Sequence, residues 1–508
     1  MKKHLKFINK FLVLVEKGGN ALPHPATLFA IFAFIILVFS FVAYHFGWSA
    51  TNPADGSIVK SVNLLSKQGI HNILTDLVVN FTSFAPLGIV IVAMLGIGVA
   101  EDSGLINATI RLIIASTPKK LITFVIIFTG VMSNIASDAG HVLIIPLAGI
   151  IFLSIGRHPV VGMAAAFAGV SGGYSANMLL GTLDPLLAGL STEAAHIVNS
   201  AYDVNPTANY YFMSVSAVVL SFAGTWVTEK IVAPRFGKYK QDSKDKVNLD
   251  KLTEIERKGI KRVAILSVLS LILILVTVVP ENSFFRGDDG SVLGSPLIKG
   301  VIALLFIFAS VMGIVYGFTT KKYTSDADVM NGMSESVKTL GTYIVLVFFA
   351  AQFVAFFKMS NLGIIFAIKG ANAIQSTGIG LIPLTLLFIA FSASINLLMG
   401  SASAKWAIMA PVFIPMFMLV GYSPEFTQAV YRIGDSATNI ISPMLSFFPL
   451  IIAFVQKYDK KAGIGTIVAT MLPYSIVFLF VWTLLMVVWI ILGLPVGPGA
   501  DIYYSPPV

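Results

Sequence analysis

Long apolar segments separated by short polar ones recur along almost the whole chain. A helix needs about 20 mostly apolar residues to cross a hydrocarbon layer ~30 Å thick, and nine segments are close to that length or longer. They lie at about 26–46, 77–100, 160–190, 209–228, 263–280, 298–318, 339–357, 427–455 and 464–493. The pattern therefore predicts an all-α polytopic membrane protein with nine transmembrane helices.

Two further apolar stretches, 121–155 and 380–420, have polar and glycine-rich centres, SNIASDAG and MGSASAK. Each stretch is long enough to enter the membrane and return to the same face, which predicts two re-entrant hairpins. Residues 1–25 are basic and amphipathic, and their short apolar run is interrupted by Glu16 and Lys17. We interpret this segment as a cytoplasmic interfacial helix and not as a cleaved signal peptide.

The composition excludes an ordinary soluble enzyme. The 508 residues are 56% hydrophobic and only 12% charged, whereas soluble proteins carry about 25% charged residues. The sequence contains no cysteine, which excludes disulfides, thiolate catalysis and cysteine metal sites. It also lacks HExxH, GxSxG and P-loop motifs, and the serines of GSAS at 400–403 have no histidine in the second half of the chain to activate them. We expect a protein that is not an enzyme.

The positive charge follows the predicted membrane faces. The formal net charge of +9 comes from 34 Lys and Arg against 25 Asp and Glu, and the basic residues concentrate in alternate loops, above all in the linker 230–262. Because basic residues accumulate on the cytoplasmic side, we predict a cytoplasmic N-terminus and an outside tail at 495–508. The bases then serve membrane anchoring at the lipid surface, and no nucleic-acid partner is expected.

A shift of 265 residues aligns two parts of the chain. The aligned pairs are Pro146/Pro411, Gly156/Gly421, Pro159/Pro424, Gly169/Gly434 and Ser171/Ser436. Since the two hairpins are predicted to open from opposite faces, the repeat is inverted, with one half at 26–229 and the other at 263–494. Inverted repeats with interrupted helices are typical of secondary transporters, whose binding sites lie near the membrane midplane.

The crossing after each hairpin is predicted to be broken. Segments 169–185 and 434–443 combine glycine and proline, which interrupt helices, with hydroxyl and amide groups. Freed carbonyls together with Ser, Thr, Asn and Asp oxygens suit Na⁺, and helix N-termini attract anionic groups. The hairpins and broken helices each contribute such a polar pair: Ser133 and Asn134, Ser175 and Asn177, Ser394 and Asn396, Thr438 and Asn439. We interpret these pairs as ion or substrate sites, the alternative being simple contacts between helices.

Six ionisable residues are predicted at membrane depth, where a charge is costly and therefore a candidate for function. They are Asp138, His141, Asp184, Lys405, Arg432 and Asp435. Arg432 and Asp435 lie three residues apart on one helix face, so they can form an ion pair with each other, or bind a substrate anion and a cation or proton respectively. Asp138 and His141 have the same spacing and suit either a structural histidine or a proton relay.

The tip of the second hairpin leaves two roles open. Lys405 can extend to a membrane interface or meet an anionic ligand. Its neighbour Trp406 can pack within the protein or stack on an aromatic ligand.

Several segments resemble the AbgT family of p-aminobenzoyl-glutamate transporters. They are GNALPHPATLF (19–29), NFTSFAPLG (80–88), SIGRHPVVGMAAAFAGVSGGYSAN (154–177), IVAPRFG (231–237), GSASAKWAIMAPVFIPMFMLVGYSPEFTQAVYRIGDS (400–436) and GLPVGPG (493–499). The resemblance implies a homodimer whose protomers have nine transmembrane helices and two re-entrant hairpins. It also implies import of p-aminobenzoyl-glutamate or export of sulfonamide antimetabolites, without a cofactor other than Na⁺ or H⁺ as the coupling ion.

The resemblance also implies roles for individual residues. By motif, the functional positions of the family fall on Asp184, Asn396, Ser403, Trp406, Pro424, Arg432 and Asp435. A bound Na⁺ would take Asn396 and Asp435 as ligands, and we add Asn134 and Asn177 as candidates from the other half. The small anionic aromatic substrate would stack on Trp406 and meet Arg432 and Lys405 with its carboxylates.

We expect transport to proceed by an elevator-like or rocking motion of the hairpins and broken helices against the remaining helices. A Na⁺-coupled dicarboxylate carrier of similar design is the alternative within transporters. A membrane hydrolase or a binding protein that does not transport is the alternative from another class.

Overall fold

The computed structural model describes residues 23–51, 56–115, 117–136, 139–237, 239, 252–280, 283–287, 290, 295–338 and 340–504. The described chain is mainly helical, with one short antiparallel pair of strands, Ser49–Thr51 and Ile58–Lys60, in which Ala50 faces Val59. Most of the predicted interfacial segment 1–25, the centre of the linker 230–262 and Asp138 lie outside the described residues.

Nine membrane crossings are present within the described residues, as predicted. Seven are long helices: Pro25–His45, Ala85–Asp102, Tyr210–Val227, Glu254–Val278, Val301–Thr320, Gly341–Met359 and Ile464–Ile491. The other two are broken helix 1, made of Pro159–Phe167 and Leu183–Ala195, and broken helix 2, made of Pro424–Ala437 and Phe448–Gln456. Hairpin 1 consists of Ile122–Met132 and Ala139–Ser154, and hairpin 2 consists of Leu381–Asn396 and Ala402–Val420.

The hydropathy pattern missed several shorter helices. Helix Lys67–Thr82 precedes the second crossing, which begins at Ala85 and not at 77, because Pro86 favours a helix start there. Leu105–Ala115, Asp326–Lys338 and Leu362–Thr377 are the others of ten or more residues. Asp326–Lys338 lies against the second crossing, where the Ser336 hydroxyl donates to the Met94 carbonyl at 2.9 Å. Such helices mix polar and apolar residues, which hides them from a search for apolar runs.

The helices pack in two groups. In the first, which we call the scaffold, Pro25–His45 packs against Gly341–Met359, and Ala85–Asp102 packs against Val301–Thr320. The second, the hairpin unit, contains both hairpins, both broken helices, Tyr210–Val227 and Ile464–Ile491. The groups meet where Ala85–Asp102 lies on Leu183–Ala195, and Gly189 allows this close approach because a Cβ there would lie 3.0 Å from Pro86.

The inverted repeat is visible in matching local structure. Gly156 and Gly421 both end a hairpin with a positive φ, 76° and 102°, which L side chains rarely adopt. Pro159 and Pro424 then occupy the first turn of the two broken helices. Further along, a Cβ on Gly169 would lie 2.3 Å from the Ile127 carbonyl oxygen, and one on Gly434 would lie 2.6 Å from that of Ile389. Each broken helix therefore needs a glycine to pack on its hairpin.

Candidate functional site

The two broken helices meet at their interruptions, in the middle of the hairpin unit. Broken helix 1 loses its regular form after the wide turn Ala168–Gly172 and resumes at Leu183. The Ser175 amide donates to the Ser436 hydroxyl at 3.2 Å, and the Asn439 side chain donates to the Ser171 carbonyl at 3.3 Å. Backbone groups freed by one break are thus satisfied by the other break, as a membrane interior requires.

Arg432 and Asp184 form a buried ion pair across this junction. The Arg432 Nη2 atom lies 2.8 Å from Asp184 Oδ1 and also donates to the Ser175 carbonyl at 2.8 Å. The second carboxylate oxygen of Asp184 accepts the Gly181 amide at 2.8 Å. Of the two alternatives for Arg432 and Asp435, the ion pair with each other is not observed, because the two side chains contact different neighbours: broken helix 1 for Arg432 and hairpin 2 for Asp435.

Lys405 is the partner of Asp435. Its Nζ lies 2.5 Å from Asp435 Oδ1 and also donates to Asn396 Oδ1, and its side chain is fully buried. It therefore does not extend to a membrane interface. The Asn396 amide nitrogen lies 2.5 Å from the Asp435 carbonyl oxygen and 2.8 Å from the Thr438 hydroxyl, which turns its oxygen toward the ammonium group. Among the described groups, Asp435 Oδ2 is buried and has no hydrogen-bond partner.

Trp406 packs inside the protein in this structure. Its ring stacks on Tyr431, with ring centroids 4.4 Å apart and an interplanar angle of 27°, and its Nε1 donates to the Ser191 hydroxyl at 2.9 Å. The side chain is completely buried. Of the two predicted roles, packing is the one observed.

A buried polar chain that the sequence analysis missed extends from Trp406. Ser191 donates to Gln428 Oε1 at 2.7 Å, and Gln428 Nε2 donates to Asn209 Oδ1 at 2.9 Å. Asn209 Nδ2 in turn donates to the Glu425 carbonyl at 2.8 Å. Gln428 precedes Arg432 by four residues and Arg432 precedes Asp435 by three, so this helical spacing of polar residues was an available signal.

On the hairpin 1 side of the site, buried polar groups are present without an ion pair among the described contacts. His141 Nε2 lies 2.8 Å from the Ser171 hydroxyl, and its ring stacks on Phe447 at 4.4 Å. The side-chain oxygen of Asn134 and both amide atoms of Asn177 are buried without a hydrogen-bond partner in the described structure. No cationic side chain pairs with either asparagine among the described contacts. The predicted relay from Asp138 to His141 includes a residue outside the described set.

A cavity of about 330 Å³ separates the hairpin unit from the scaffold. Broken helix 1 contributes Tyr174 and Thr182, hairpin 2 contributes Ser401 and Ser403, and the scaffold contributes Tyr343. Ser401 begins helix Ala402–Val420, where its hydroxyl accepts the Ala404 amide at 3.3 Å. Of the predicted substrate residues, Ser403 lines this cavity; Asp184, Asn396, Lys405, Trp406, Arg432 and Asp435 lie in the hairpin unit outside its lining.

Pro424 has a structural position at the far end of broken helix 2. It follows Ser423, whose hydroxyl accepts the Phe426 amide at 3.1 Å and donates to the Asp501 carbonyl. The Ser423 amide also donates to the Ile502 carbonyl at 2.9 Å. The residue thus starts the helix that carries Arg432 and Asp435 and lies where the C-terminal segment docks.

Comparison with known proteins identifies the architecture. Residues 10–504 match a family model described as "AbgT putative transporter family". The chain belongs to the AbgT family. The p-aminobenzoyl-glutamate transport protein of Escherichia coli (strain K12) is 39% identical over 486 residues, which cover 96% of this chain and 95% of that protein.

Two solved structures of AbgT transporters share the fold. The Neisseria gonorrhoeae MtrF structure, described as illuminating a class of antimetabolite efflux pumps, aligns with a TM-score of 0.92 and 49% identity over 97% of this chain and 100% of that one. The Alcanivorax borkumensis YdaH transporter aligns with a TM-score of 0.89 and 42% identity over 94% and 100%. The family is one of membrane transporters and not of enzymes, as the sequence predicted.

Proposed function

We propose that this AbgT-family chain is a secondary transporter of p-aminobenzoyl-glutamate and related anionic aromatic compounds, including sulfonamide antimetabolites, driven by a gradient of Na⁺ or H⁺. The observation that carries the proposal is the cavity between the hairpin unit and the scaffold. Its volume of about 330 Å³ falls in the range of about 300–1,000 Å³ that small-molecule sites occupy. In the proposed mechanism, movement of one group of helices against the other exposes this cavity to the two membrane faces in turn.

The cavity lining suits a ring that carries carboxylates. Tyr174, Tyr343 and Phe447 supply aromatic surface. Two helices begin at the wall, Leu183–Ala195 after Thr182 and Ala402–Val420 after Ser401. Helix N-termini present free amide groups and a partial positive charge, which bind carboxylates. In this proposal Ser403 contacts the substrate directly.

The buried pairs hold the wall of this site in shape. Arg432 with Asp184 and Lys405 with Asp435 connect the elements behind the lining, while Asn396 and Trp406 orient the same elements through hydrogen bonds. We propose that these residues, with Pro424 at the start of their helix, affect transport by positioning the lining. The hairpin unit would move against the scaffold as an elevator or by rocking.

The direct test is flux in liposomes with purified protein. Labelled p-aminobenzoyl-glutamate is expected to exchange across the bilayer, and an imposed H⁺ or Na⁺ gradient should drive net movement. Ser403→Phe should block flux because the ring enters the cavity, whereas Leu387→Phe at an exposed position of the same hairpin should not. Succinate competition without competition by the aromatic compound would replace the proposal with a dicarboxylate carrier, and release of p-aminobenzoate would indicate a hydrolase.

The orientation in the bacterial inner membrane is part of the proposal. The N-terminus would be cytoplasmic and the C-terminal segment, which docks on Gly421 through the Tyr504 amide at 2.9 Å, would face outside. Because the sequence has no cysteine, single cysteines can report the side. An impermeant maleimide applied to whole cells should label Lys369→Cys and not Lys461→Cys, both at exposed positions; the reverse labelling would invert the topology.

We also propose a homodimer built through the scaffold. Helix Glu254–Val278 packs on Val301–Thr320 of the scaffold. It is largely exposed over its membrane segment, with Leu269, Leu273 and Val276 uncovered. Lipid and a second protomer are the two surroundings that cover such a surface in a membrane. Light scattering of the detergent-solubilised protein should give twice the chain mass of 54.5 kDa, and a mass equal to one chain would contradict the dimer.

A further inference from the structure

The second repeat contains the groups of a monovalent cation site. Asn396 offers an amide oxygen, Asp435 a carboxylate, and the unwound segment after Ala437 carries Thr438 and Asn439. Carboxylate and amide oxygens are hard ligands that suit cations such as Na⁺. All four side chains are buried, so a free positive charge at this position would be strongly held by the carboxylate.

The position is already taken by a side chain of the protein. Lys405 Nζ contacts both Asn396 Oδ1 and Asp435 Oδ1, the two oxygens that a bound ion would use. An ammonium group carries the same charge as Na⁺ and satisfies acceptor oxygens by donating hydrogen bonds. The orientation of the Asn396 amide is fixed, since its nitrogen donates to the Asp435 backbone carbonyl, the Thr438 hydroxyl and the Asn439 side-chain oxygen. The ammonium group of Lys405 therefore occupies the position between these two oxygens, which Na⁺ cannot share with it, and Asp435 Oδ2 is the acceptor of the carboxylate that is left without a partner among the described atoms.

We propose that Lys405 is a tethered cation that permanently fills the ion position of the second repeat, so that this position does not take Na⁺. The lysine then determines ion specificity: the charge that a Na⁺-dependent site would recruit from solution is supplied here by the chain. The consequence for transport rests on the function proposed above, namely that Na⁺ does not couple through hairpin 2.

The first repeat shows the same position without a lysine. The shift of 265 residues aligns Lys405 with Gly140, and a Cβ on Gly140 would lie 2.1 Å from the Ser133 hydroxyl. A side chain there would require Ser133 to shift, and the Asn134 oxygen and the Asn177 amide have no hydrogen-bond partner among the described atoms. The tethered charge is therefore a property of one repeat and not of the inverted design.

The test is to remove the tether and ask whether a free ion replaces it. Thermal unfolding of Lys405→Ala is measured in NaCl and in choline chloride at equal ionic strength, without substrate. We expect Na⁺ to raise Tm of this variant by several degrees with a logarithmic dependence on concentration, and NH₄⁺ to do the same. The Tm of wild type should not rise in this way. Any increase in Tm that Na⁺ causes in wild type should be smaller and equal to the increase seen in every variant.

A second variant removes the attraction for the ion. Lys405→Ala with Asp435→Asn has neither charge and should be insensitive to Na⁺. If Lys405→Ala shows no Na⁺ effect beyond that of wild type, or fails to fold in Na⁺ while the double variant folds, the tethered-cation proposal is overturned. A Na⁺ effect in wild type that Asn396→Ala abolishes would overturn it as well.

The Tm measurement tests the tethered cation independently of the proposed transport activity. Because no substrate is present, the Tm comparison stands even if the protein carries a different compound. In liposomes that do show flux, the ratio of flux in Na⁺ to flux in choline should be severalfold higher for Lys405→Ala than for wild type.

Discussion

The guanidinium of Arg432 and the carboxylate of Asp184 lie 2.8 Å apart, and they connect two broken helices that are distant in sequence. Both side chains are almost fully buried. A buried charge that loses its partner is costly in a membrane interior, whereas in the intact pair each charge offsets part of the cost of burying the other.

Asp184→Ala should therefore destabilise the protein by about 3–5 kcal/mol, because Arg432 is left without its carboxylate. Arg432→Met combined with Asp184→Ala removes both charges and should cost less than Asp184→Ala alone. Thermal or denaturant unfolding in detergent measures both. Strictly additive effects of the two substitutions would contradict the energetic coupling of the pair.

Trp406 offers a test of the polar chain in the hairpin unit. Trp406→Phe keeps a ring on Tyr431 and loses the hydrogen bond to Ser191, so we expect a loss of about 1 kcal/mol. Ser191→Ala loses that bond and the bond to Gln428, so its cost should be about twice as large. The hydrogen bond between Trp406 and Ser191 is lost in either single variant, so combining Trp406→Phe with Ser191→Ala should lower stability beyond Ser191→Ala only by the change in ring packing. A loss of stability equal to the sum of the two single losses would contradict the shared hydrogen bond.

Gly169 and Gly434 should be equally intolerant of a side chain. An added methyl group would collide with a backbone carbonyl of hairpin 1 or hairpin 2, and overpacking of this kind costs about 1–3 kcal/mol. Gly88→Ala is the matched control, since it lies in the helix Ala85–Asp102 with nothing within 4 Å of the added atom. In unfolding measurements, Gly169→Ala and Gly434→Ala should both be clearly less stable than Gly88→Ala. Equal stability of the three variants would contradict the close packing.

His158 should make the start of broken helix 1 sensitive to pH. Burial lowers the pKa of His158 from its ordinary value of 6.5, although Asp459 opposes the shift. Its neutral Nδ1 accepts the Val160 amide at 3.3 Å. Because the unfolded chain then binds the proton more readily, stability is full above about pH 6.5 and is lost as pH falls through the folded pKa.

The variant His158→Ser supplies the control. Serine occupies the equivalent position of the second repeat, where Ser423 caps broken helix 2, and it does not titrate. The decrease in Tm between pH 8 and pH 5 should be smaller in this variant than in wild type. An identical decrease in both proteins would assign the pH dependence to other groups.

Hydropathy and helix-breaking residues were sufficient to predict the crossings, the hairpins and the breaks. These features depend on local composition, and the membrane requires long apolar helices wherever the backbone is not otherwise satisfied. The matched glycines and prolines of the repeat were equally readable, since each marks a local need: Gly156 and Gly421 for positive φ, Pro159 for a helix start.

The pairing of charges was not predictable in the same way. Spacing on one helix indicated that Arg432 and Asp435 share a face, yet each has a stronger partner from another element, Asp184 and Lys405. Those partners are brought close by the meeting of the two breaks and by the tip of hairpin 2, which sequence spacing does not encode. The burial of Trp406 against Tyr431 likewise depends on how hairpin 2 packs on broken helix 2.

The two ion pairs have an electrical consequence. Asp184 with Arg432 and Asp435 with Lys405 contribute no net charge to the hairpin unit. A membrane potential does work of about 2.3 kcal/mol per elementary charge per 100 mV, and this work is zero for a balanced pair that crosses the field intact. In the proposed transport motion, the voltage would act on the cargo and on the coupling ion but not on these two pairs, and for the anionic cargo an inside-negative potential would favour outward movement and oppose uptake.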